Sequence, residues 1–329
     1  MYASAKTLDD LLMRVIATIL KSKSRTKPSR GAATESTGAL LKITNPRARL
    51  SRTEGRGLLF SCLGELLWYL AKSNSVQFIS YYVPKYSEES DDGRTVHGGY
   101  GPRLFNMRGI NQIQNVISLL KERPDSRRAV IQLFDAADIA RQHKDVPCTC
   151  TLQFMRRGQR LHMFTTMRSN DAFMGLPHDV FAFTMLQEII ARTLGVELGE
   201  YSHAVGSLHL YDVHRKRAQR LIKEGWQTTR LAMPPMPLGD PWPSVRKVLE
   251  AERAIRRGRK IDRRKLHFDA YWGDVVRLLE IYQSYKNRDV KRITRLRNEM
   301  SSPIYNTYIE KKQKGAKSKT DQQVLFDDN

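Results

Sequence analysis

A proline-rich segment in the last third of the chain limits where regular structure can run. Residues 233–243 contain five prolines in eleven positions. Proline lacks a backbone N–H and disfavours helical geometry in the residue before it, so a helix or a central strand cannot pass through such a segment. The segment therefore predicts a linker between a large region, residues 1–232, and a second region that begins at residue 244.

Residues 1–232 mix two hydrophobic periodicities. Apolar residues at helical spacing alternate along the chain with short runs that are typical of strands. Helices are predicted over residues 8–19, 64–72, 111–120 and 180–194, a strand over 129–134, a hairpin over 151–169, and a strand over 204–211. Because both kinds of element occur in one region, the predicted fold class is α+β, a mixed sheet with packed helices.

The chain beyond the linker has only helical periodicity, over residues 271–285 and 290–300. It is also basic, with 15 Lys+Arg against 6 Asp+Glu between residues 252 and 297. These features predict a helical basic extension over residues 244–310. The polar composition that follows predicts a disordered tail over residues 311–329.

Charge and cysteine content narrow the class of protein. The chain has a formal net charge of +22, three cysteines, and no run of 18 apolar residues. An odd number of cysteines favours a reducing cytoplasm over a disulfide framework, and the lack of a long apolar run argues against a membrane span. The basic surplus favours phosphorylated small molecules or polyanions as partners. Weak nucleic-acid contact through the basic extension and a merely solvated helix face both stay open.

Two residues are candidates for a chemical role. Cys148 follows a proline at the start of a predicted strand. A lone buried cysteine is usually a small hydrophobe, whereas a nucleophile needs cations that lower the pKa of its thiol, and Arg127, Arg128 and Arg168 are the densest candidates. Asp179 follows a Gly-Leu-Pro turn and precedes an apolar run, where a carboxylate is most often a helix cap.

A series of short motifs resembles the signature of the thymidylate synthase family. Each motif is weak alone, but their order and spacing match that family over about residues 8 to 230. The motifs are Glu65 in GELLWYL, Tyr100-Gly101, PDSRR at 124–128, Pro147-Cys148, RSND at 168–171, GLP at 175–177 and GSLHLY at 206–211. The resemblance implies a thymidylate synthase-like fold, with residues 1–232 as the catalytic region.

The resemblance also implies roles for individual residues. Cys148 would add to C6 of a pyrimidine nucleotide, and C5 would then attack the one-carbon unit of 5,10-methylenetetrahydrofolate. The matching positions imply catalysis by Cys148, Glu65 and Tyr100, nucleotide binding by Arg127, Arg128, Arg168, Ser169, Asp179, His209 and Tyr211, and folate contacts by Asp171 and Tyr86. The family further implies no metal, and a homodimer in which Arg127 and Arg128 reach the partner's site.

Asp179 stands where thymidylate synthases carry an asparagine that reads the uracil edge. A carboxylate accepts from the N4–H of cytosine, and a proton on the acid or the base adds a bond to N3. Together with Thr149 and Ser207, which also depart from the synthases, Asp179 resembles the deoxycytidylate hydroxymethylases. That branch adds water to an exocyclic methylene at C5 and leaves tetrahydrofolate intact, whereas a synthase reduces the methylene and forms dihydrofolate.

We therefore predict a 5-hydroxymethylase of dCMP or CMP. Two alternatives stay open, a thymidylate synthase that methylates dUMP and a basic nucleic-acid-binding protein that has kept the fold without turnover. Two features of the synthases have no clear counterpart in the sequence. The extension replaces the C-terminus that closes over folate, and Arg30 is only a candidate for the N-terminal phosphate-binding arginine.

Overall fold

A mixed sheet forms the centre of the molecule. The structure is a computed structural model that describes residues 1–28, 30–51, 58–227 and 231–327, with side chains to residue 318. Within these residues the sheet has seven strands. They are Tyr2–Ala5 (β1), Arg25–Thr26 (β2), Ala33–Ile43 (β3), Val130–Gln132 (β4), Thr149–Arg157 (β5), Arg160–Asp171 (β6) and Glu197–Tyr211 (β7).

Helices surround this sheet. In the described ranges they are Leu8–Lys21 (α1), Leu59–Leu70 (α2), Val76–Tyr82 (α3), Tyr100–Asn106 (α4), Gln112–Glu122 (α5), Gly175–Thr193 (α6), Arg215–Glu224 (α7), Trp242–Arg256 (α8), Ala270–Lys286 (α9), Val290–Asn298 (α10) and Asn306–Asp327 (α11). None of these helices is both long and apolar enough to cross a bilayer. The predicted α+β class is confirmed.

The strand order is β1-β3-β7-β6-β5-β4, with β2 paired to β3. Strands β6 and β7 are parallel and are connected through α6, while β5 and β6 form the predicted antiparallel hairpin. Because β6 and β7 run in the same direction, their last residues meet at one edge of the sheet. Ser169 pairs with Ser207, and Asp171 pairs with His209.

Helix α6 begins earlier than its sequence pattern predicts. The prediction started it at Val180, whereas the helix begins at Gly175. The Gly-Leu-Pro turn is thus its first turn, where the missing N–H of Pro177 costs no helical hydrogen bond. Most of the helix is buried between α2 and the sheet, which explains why its apolar residues are not confined to one stripe.

The segment predicted as a linker is packed against the first region. Met233 and Met236 are buried, and the backbone N–H of Met236 donates to the carboxylate of Glu188 on α6. Glu188 also forms an ion pair with Arg49 at 2.5 Å, with the two side chains 1% and 0% exposed. Prolines keep residues 233–241 out of helix and sheet, but the methionines and peptide groups of this segment still bind it to α6.

Helices α8 and α9 extend the same core. Val245 and Val248 of α8 and Trp272 and Val275 of α9 line a small apolar cavity together with residues of α2 and α6. Several basic side chains of the extension form ion pairs with acidic side chains of the same extension. They include Arg263 and Arg292, which both contact Glu280, and Arg277, which contacts Asp274.

The C-terminal segment predicted as a tail contains part of a helix. Helix α11 runs from Asn306 to Asp327, past the predicted boundary at Lys311, and residues 328–329 lie outside the described residues. Tyr308, Ile309 and Ala316 are buried, and the ammonium of Lys312 lies 4.2 Å from the ring centre of Tyr285. These contacts anchor the helix from its first turn to Ala316.

Candidate active site

Cys148 lies on the loop that leads into β5. Arg168, near the end of β6, holds this loop through three bonds. Its Nε donates to the carbonyl of Pro147 and its Nη2 to the carbonyl of Val146, each at 2.9 Å, and its backbone N–H donates to the carbonyl of Cys148. The guanidinium therefore fixes the cysteine in place as well as supplying positive charge next to it.

The thiol of Cys148 is neutral in the free protein at neutral pH. Burial raises the pKa of Cys148 to about 11, and the carboxylates of Asp179 and Asp145 add to that effect. Arg168 and Arg30 act in the opposite direction, as cations near a nucleophile should, but they do not outweigh burial. Attack by this sulfur thus requires a proton acceptor or a change in its surroundings.

Arg30, which is only a candidate on the sequence alone, lies close enough to Cys148 for their charges to interact. Its guanidinium forms an ion pair with Glu89 at 2.5 Å, and its charge interacts with Asp145, Cys148 and Tyr211. Burial and the neighbouring Glu89 raise the pKa of Asp145 to about 6. The sequence offered no signal for Asp145 or Glu89, because both belong to polar loops.

Glu65, on α2, accepts three hydrogen bonds. Its Oε1 accepts from the hydroxyls of Tyr69 at 2.8 Å and Tyr86 at 2.7 Å, and its Oε2 lies 2.5 Å from Nδ1 of His178. Burial raises the pKa of Glu65, but the hydrogen bond and charge of His178 with the two tyrosine bonds bring the net pKa below its ordinary value. This carboxyl group is therefore ionised.

Tyr100 connects the surroundings of Glu65 to the start of β5. Its hydroxyl donates to Oγ1 of Thr149 at 2.9 Å and accepts from the Thr149 N–H, while its ring packs against Tyr69 with centres 5.1 Å apart. Burial raises the pKa of Tyr100, and the charges of Asp179 and Cys148 add to the increase. Tyr100 is thus a neutral hydroxyl close to the predicted nucleophile.

Asp179 is not a helix cap. It is the fifth residue of α6, whose N-cap residue is Met174, and its Oδ2 accepts from Nδ2 of Asn170 at 2.7 Å. Burial and the charge of Glu65 raise the pKa of Asp179 to about 7, against the lowering effect of Asn170. Both protonation states are therefore accessible near neutral pH.

The orientation of Asn170 is itself fixed from behind. Nδ1 of His203 lies 2.7 Å from the hydroxyl of Tyr201, and its Nε2 lies 3.3 Å from Oδ1 of Asn170. Burial lowers the pKa of His203 to about 3, so the ring is neutral and has one N–H. If the tyrosine donates to Nδ1, then Nε2–H donates to the amide oxygen, an assignment inferred from the bonding pattern. The amide nitrogen is left to face Asp179.

The parallel strands β6 and β7 bring together the residues predicted to bind sugar and phosphate. Oγ of Ser169 lies 3.4 Å from Nδ1 of His209, whose ring contacts Tyr211 edge to face with centres 4.7 Å apart. Ser207, on the same face, donates to the carboxylate of Glu35 at 2.7 Å. Glu35 is a further polar group at this edge that the motifs do not reveal.

Asp171 and Tyr86 are each partly committed to contacts within the protein. Oδ1 of Asp171 accepts from the N–H groups of Phe173 and Met174, at 2.7 and 3.1 Å, and no described hydrogen bond occupies its Oδ2. The hydroxyl of Tyr86 binds Glu65, and its ring packs edge to face against Trp68. The pair offers a carboxylate acceptor and an aromatic surface.

Arg127 and Arg128 stand apart from the other predicted site residues. Both are exposed just before β4, where the carbonyl of Arg127 accepts from the side chain of Gln153. Within the described residues, no hydrogen bond or ion pair joins either guanidinium to the cluster around Cys148. Their action in a partner's site stays a prediction.

The comparisons with known proteins agree with this fold. The family model described as thymidylate synthase matches residues 10–241. The chain belongs to the thymidylate synthase family. In fold it is similar to the thymidylate synthase of phage T4, with a TM-score of 0.58 and 21% identity over 66% of this chain and 81% of that one.

Within that family the chain is similar to phage proteins named deoxyuridylate hydroxymethyltransferase. The protein of Pseudomonas phage M6 is 38% identical over 46% of this chain and 44% of its own length. The protein of Delftia phage PhiW-14 is 30% identical over 63% and 61%, and that of Bacillus phage SP01 is 30% identical over 61% and 56%. The matched segment thus spans less than two thirds of each relative.

Proposed function

We propose that the protein 5-hydroxymethylates a pyrimidine nucleotide, with cytidylate as the preferred substrate. The observation that carries the proposal is the position of Asp179. The charge of its carboxyl group interacts with the charges of Glu65 and Cys148, and the amide of Asn170 donates a hydrogen bond to its Oδ2. A carboxyl group at this point of the family's site reads the edge of the base next to the atoms that react.

Cys148 is the proposed nucleophile. Its thiol loses its proton to solvent and its sulfur adds to C6 of the base, which makes C5 nucleophilic, while Arg168 fixes the loop that presents the sulfur. Once C5 carries the one-carbon unit it gives up its hydrogen as a proton, which balances the proton taken up by the departing tetrahydrofolate and leaves an exocyclic methylene at C5. When bound, 5,10-methylenetetrahydrofolate supplies the one-carbon unit, as it does throughout the thymidylate synthase family. A pterin presents N–H donors and a flat ring, which fit the available Oδ2 of Asp171 and the aromatic surface of Tyr86.

Glu65 is the proposed proton acceptor in the last step. Water adds to the exocyclic methylene at C5 of the nucleotide, and one proton of that water passes to Glu65. The displaced π electrons move into the ring, and their return restores the C5–C6 double bond as the bond from C6 to the sulfur breaks. The thiolate of Cys148 then takes up the proton, so the free protein is restored.

Cytosine suits the neutral form of Asp179. Its O–H donates to N3 of cytosine while its carbonyl oxygen accepts from the N4 amino group, which satisfies both polar atoms of the base edge. A pKa of about 7 makes this form available at neutral pH. The ionised form still accepts from the amino group, whereas opposite uracil it would lie against the O4 lone pairs.

Uridylate is the second candidate, because the phage relatives are named for deoxyuridylate. The neutral acid can also serve this base, by donating to O4 and accepting from N3–H. The choice between the bases therefore depends on which oxygen of Asp179 faces the 4-position of the ring.

A homodimer is part of the proposal. Exposed Arg127 and Arg128 would reach the partner's site and bind its nucleotide phosphate, in addition to Arg168 and Arg30. Substitution of both by alanine is expected to raise the KM for the nucleotide much more than it lowers kcat. Mixing this variant with a Cys148→Ser variant should restore part of the activity, because hybrid dimers then contain one intact site.

Product mass is the decisive measurement. The protein is incubated with dCMP, CMP or dUMP and 5,10-methylenetetrahydrofolate, with Cys148→Ser as the control. A gain of one CH2O group by a cytosine nucleotide supports the proposal, and the same gain by dUMP alone supports the second candidate. A gain of one CH2 group, with formation of dihydrofolate, would identify a thymidylate synthase. No product from any nucleotide would overturn the proposed activity.

A further inference from the structure

His178 has both ring nitrogens committed to groups of α2. Its Nδ1 lies 2.5 Å from Oε2 of Glu65, and its Nε2 lies 3.1 Å from Oγ of Ser61. The hydroxyl of Ser61 already donates to the carbonyl of Leu58 at 2.9 Å. A hydroxyl has a single proton, so Ser61 can meet Nε2 only as an acceptor.

The bonding pattern assigns two protons to this imidazole. Nε2 must carry a hydrogen to donate to Ser61, and a carboxylate at Nδ1 requires a second hydrogen there. The remaining possibility, a proton on Glu65 and a bare Nδ1, conflicts with the hydroxyls of Tyr69 and Tyr86, which both donate to the same carboxyl group and favour its anion. His178 is thus an imidazolium paired with a carboxylate.

The electrostatic surroundings support the same assignment. Burial lowers the pKa of His178, but Cys62 and Glu65 outweigh it and bring the net pKa well above its ordinary value. The titratable groups around the pair, from every element packed against it, are Cys62, Tyr69 and Glu65 of α2, Tyr86 after α3, Tyr100 of α4, and Asp179 next to His178 on α6. Cysteine, tyrosine and carboxyl side chains do not become cations. Among these described groups, His178 is therefore the only one that can carry a positive charge.

We propose that His178 is a positioning residue that acts through Glu65. Its positive charge keeps Glu65 ionised in a buried site, and its ring fixes the carboxylate so that the remaining lone pair of Oε2 can accept the proton of the reacting water. Because protonation of Glu65 breaks a close ion pair, the proton is held only transiently and passes on to the departing thiolate. The inference rests on the proposed function, since it concerns the proton transfer of that reaction.

The test removes the positive charge of residue 178 and keeps the side chain of similar size. In His178→Gln the amide can still donate to Glu65, but the cation is gone, so burial should raise the pKa of Glu65. We expect the acid limb of the kcat profile to move upward by about one pH unit or more, which is a tenfold or larger change in proton affinity. The KM for the nucleotide should change much less than kcat. Tritium release from C5, which precedes water addition, should fall less than product formation.

His162→Gln is the matched control. His162 lies on β6, far along the strand from Asp171, and its Nδ1 accepts from the backbone N–H of Glu200 at 3.2 Å. This variant should leave the pH profile unchanged. A His178→Gln profile that coincides with the wild-type profile, in a folded and active protein, would overturn the proposal.

Nuclear magnetic resonance provides a readout that does not depend on turnover. The ring nitrogens of His178 should both show the imidazolium signature at neutral pH, and the carboxyl carbon of Glu65 should titrate at higher pH in His178→Gln than in the wild type. A neutral ring, or an unchanged Glu65 titration, contradicts the proposal whether or not product forms. An imidazolium in a protein that makes no product would instead leave the ion pair standing and refute the proposed activity.

Discussion

The side-chain amide of Asn170, near the end of β6, donates to Oδ2 of Asp179 in the second turn of α6, with 2.7 Å between the two atoms. This bond makes one carboxyl oxygen a fixed acceptor. In the proposed complex Oδ1 accepts from the 4-amino group of cytosine, and Oδ2, when protonated, donates to N3 while it accepts from Asn170. Under the proposed function, the group that reads the base is thus oriented from outside the nucleotide pocket, by Asn170 and behind it by His203.

Asp179→Asn should change the preferred base. The new amide will turn its oxygen towards Nδ2 of Asn170, so its NH2 group takes the place of Oδ1 and donates to O4 of uracil. We expect kcat/KM for the cytosine nucleotide to fall by about 10² or more, because mismatched buried polar groups cost roughly 1–3 kcal/mol each. Activity on dUMP should rise, and its product should still be hydroxymethylated. An unchanged preference between the two bases would show that Asp179 does not read the base.

The same substitution should stabilise the protein in a pH-dependent way. The pKa of Asp179 is about 7 in the folded protein, above the ordinary value near 4 in an unfolded chain, so the folded state binds the proton more tightly. Wild-type stability therefore falls by about 3 kcal/mol as the pH rises from about 4 to about 7, and the asparagine variant avoids this loss. Urea unfolding at the two pH values measures it. Equal differences between variant and wild type at both pH values would contradict the raised pKa.

Removal of the Asn170 amide is expected to weaken the discrimination between cytosine and uracil nucleotides. In Asn170→Ala, Asp179 loses the donor that lowers its pKa, so the pKa should rise further and either oxygen becomes free to carry the proton. We expect the ratio of kcat/KM between the two bases to shrink by about tenfold, corresponding to one hydrogen bond of about 1.4 kcal/mol. Asn298→Ala, at the end of α10, is the control and should leave the ratio intact. Undiminished selectivity in Asn170→Ala would mean that Asp179 is oriented by other contacts.

Much of the fold could be predicted because local pattern and final environment agree. Helix α1 has its predicted apolar stripe, and its cap is Thr7, whose hydroxyl accepts from the N–H of Asp10. The hairpin of β5 and β6 follows from alternation around Gly158, whose φ of +56° suits the turn. Strand β3 was not predicted, since its polar residues and Gly38 mask its alternation.

The candidate site was predictable only in part, because its residues are brought together by distant elements. The motifs indicated Cys148, Glu65 and Asp179, but no local pattern distinguishes His178 from an ordinary helix residue or places Asp145 near Cys148. The packed linker shows the same limit. Prolines predict the end of regular structure, but they carry no information about whether the segment packs, which depends on Met236 and its partners on α6.

Alkylation of Cys148 should report its raised pKa directly. The thiolate is the reactive form, so the rate with iodoacetamide in the free protein should rise about tenfold per pH unit and level off only near pH 11. Asp145→Asn removes a carboxylate that raises this pKa and is ionised above about pH 6, so it should increase the rate at pH 8 severalfold. Peptide mapping separates Cys148 from Cys62 and Cys150. A rate that is already maximal at neutral pH would show that the free protein holds a preformed thiolate.

Loss of one partner of the buried pair Arg49–Glu188 should destabilise the whole molecule. Glu188 accepts from Arg49 through one carboxylate oxygen and from the Met236 N–H through the other, so it links the first region, α6 and the proline-rich segment. Glu188→Ala leaves a buried guanidinium without its counter-charge, and we expect a loss of about 3–5 kcal/mol in the free energy of unfolding. Arg295→Ala is the matched control, because its contact with Glu299 is 3.9 Å long and Arg295 is largely exposed, so less than about 1 kcal/mol should be lost. The double variant Arg49→Met with Glu188→Leu should recover much of the stability, since no buried charge is then unpaired. Comparable losses in Glu188→Ala and Arg295→Ala would mean that the pair does not hold the proline-rich segment to the sheet-and-helix core.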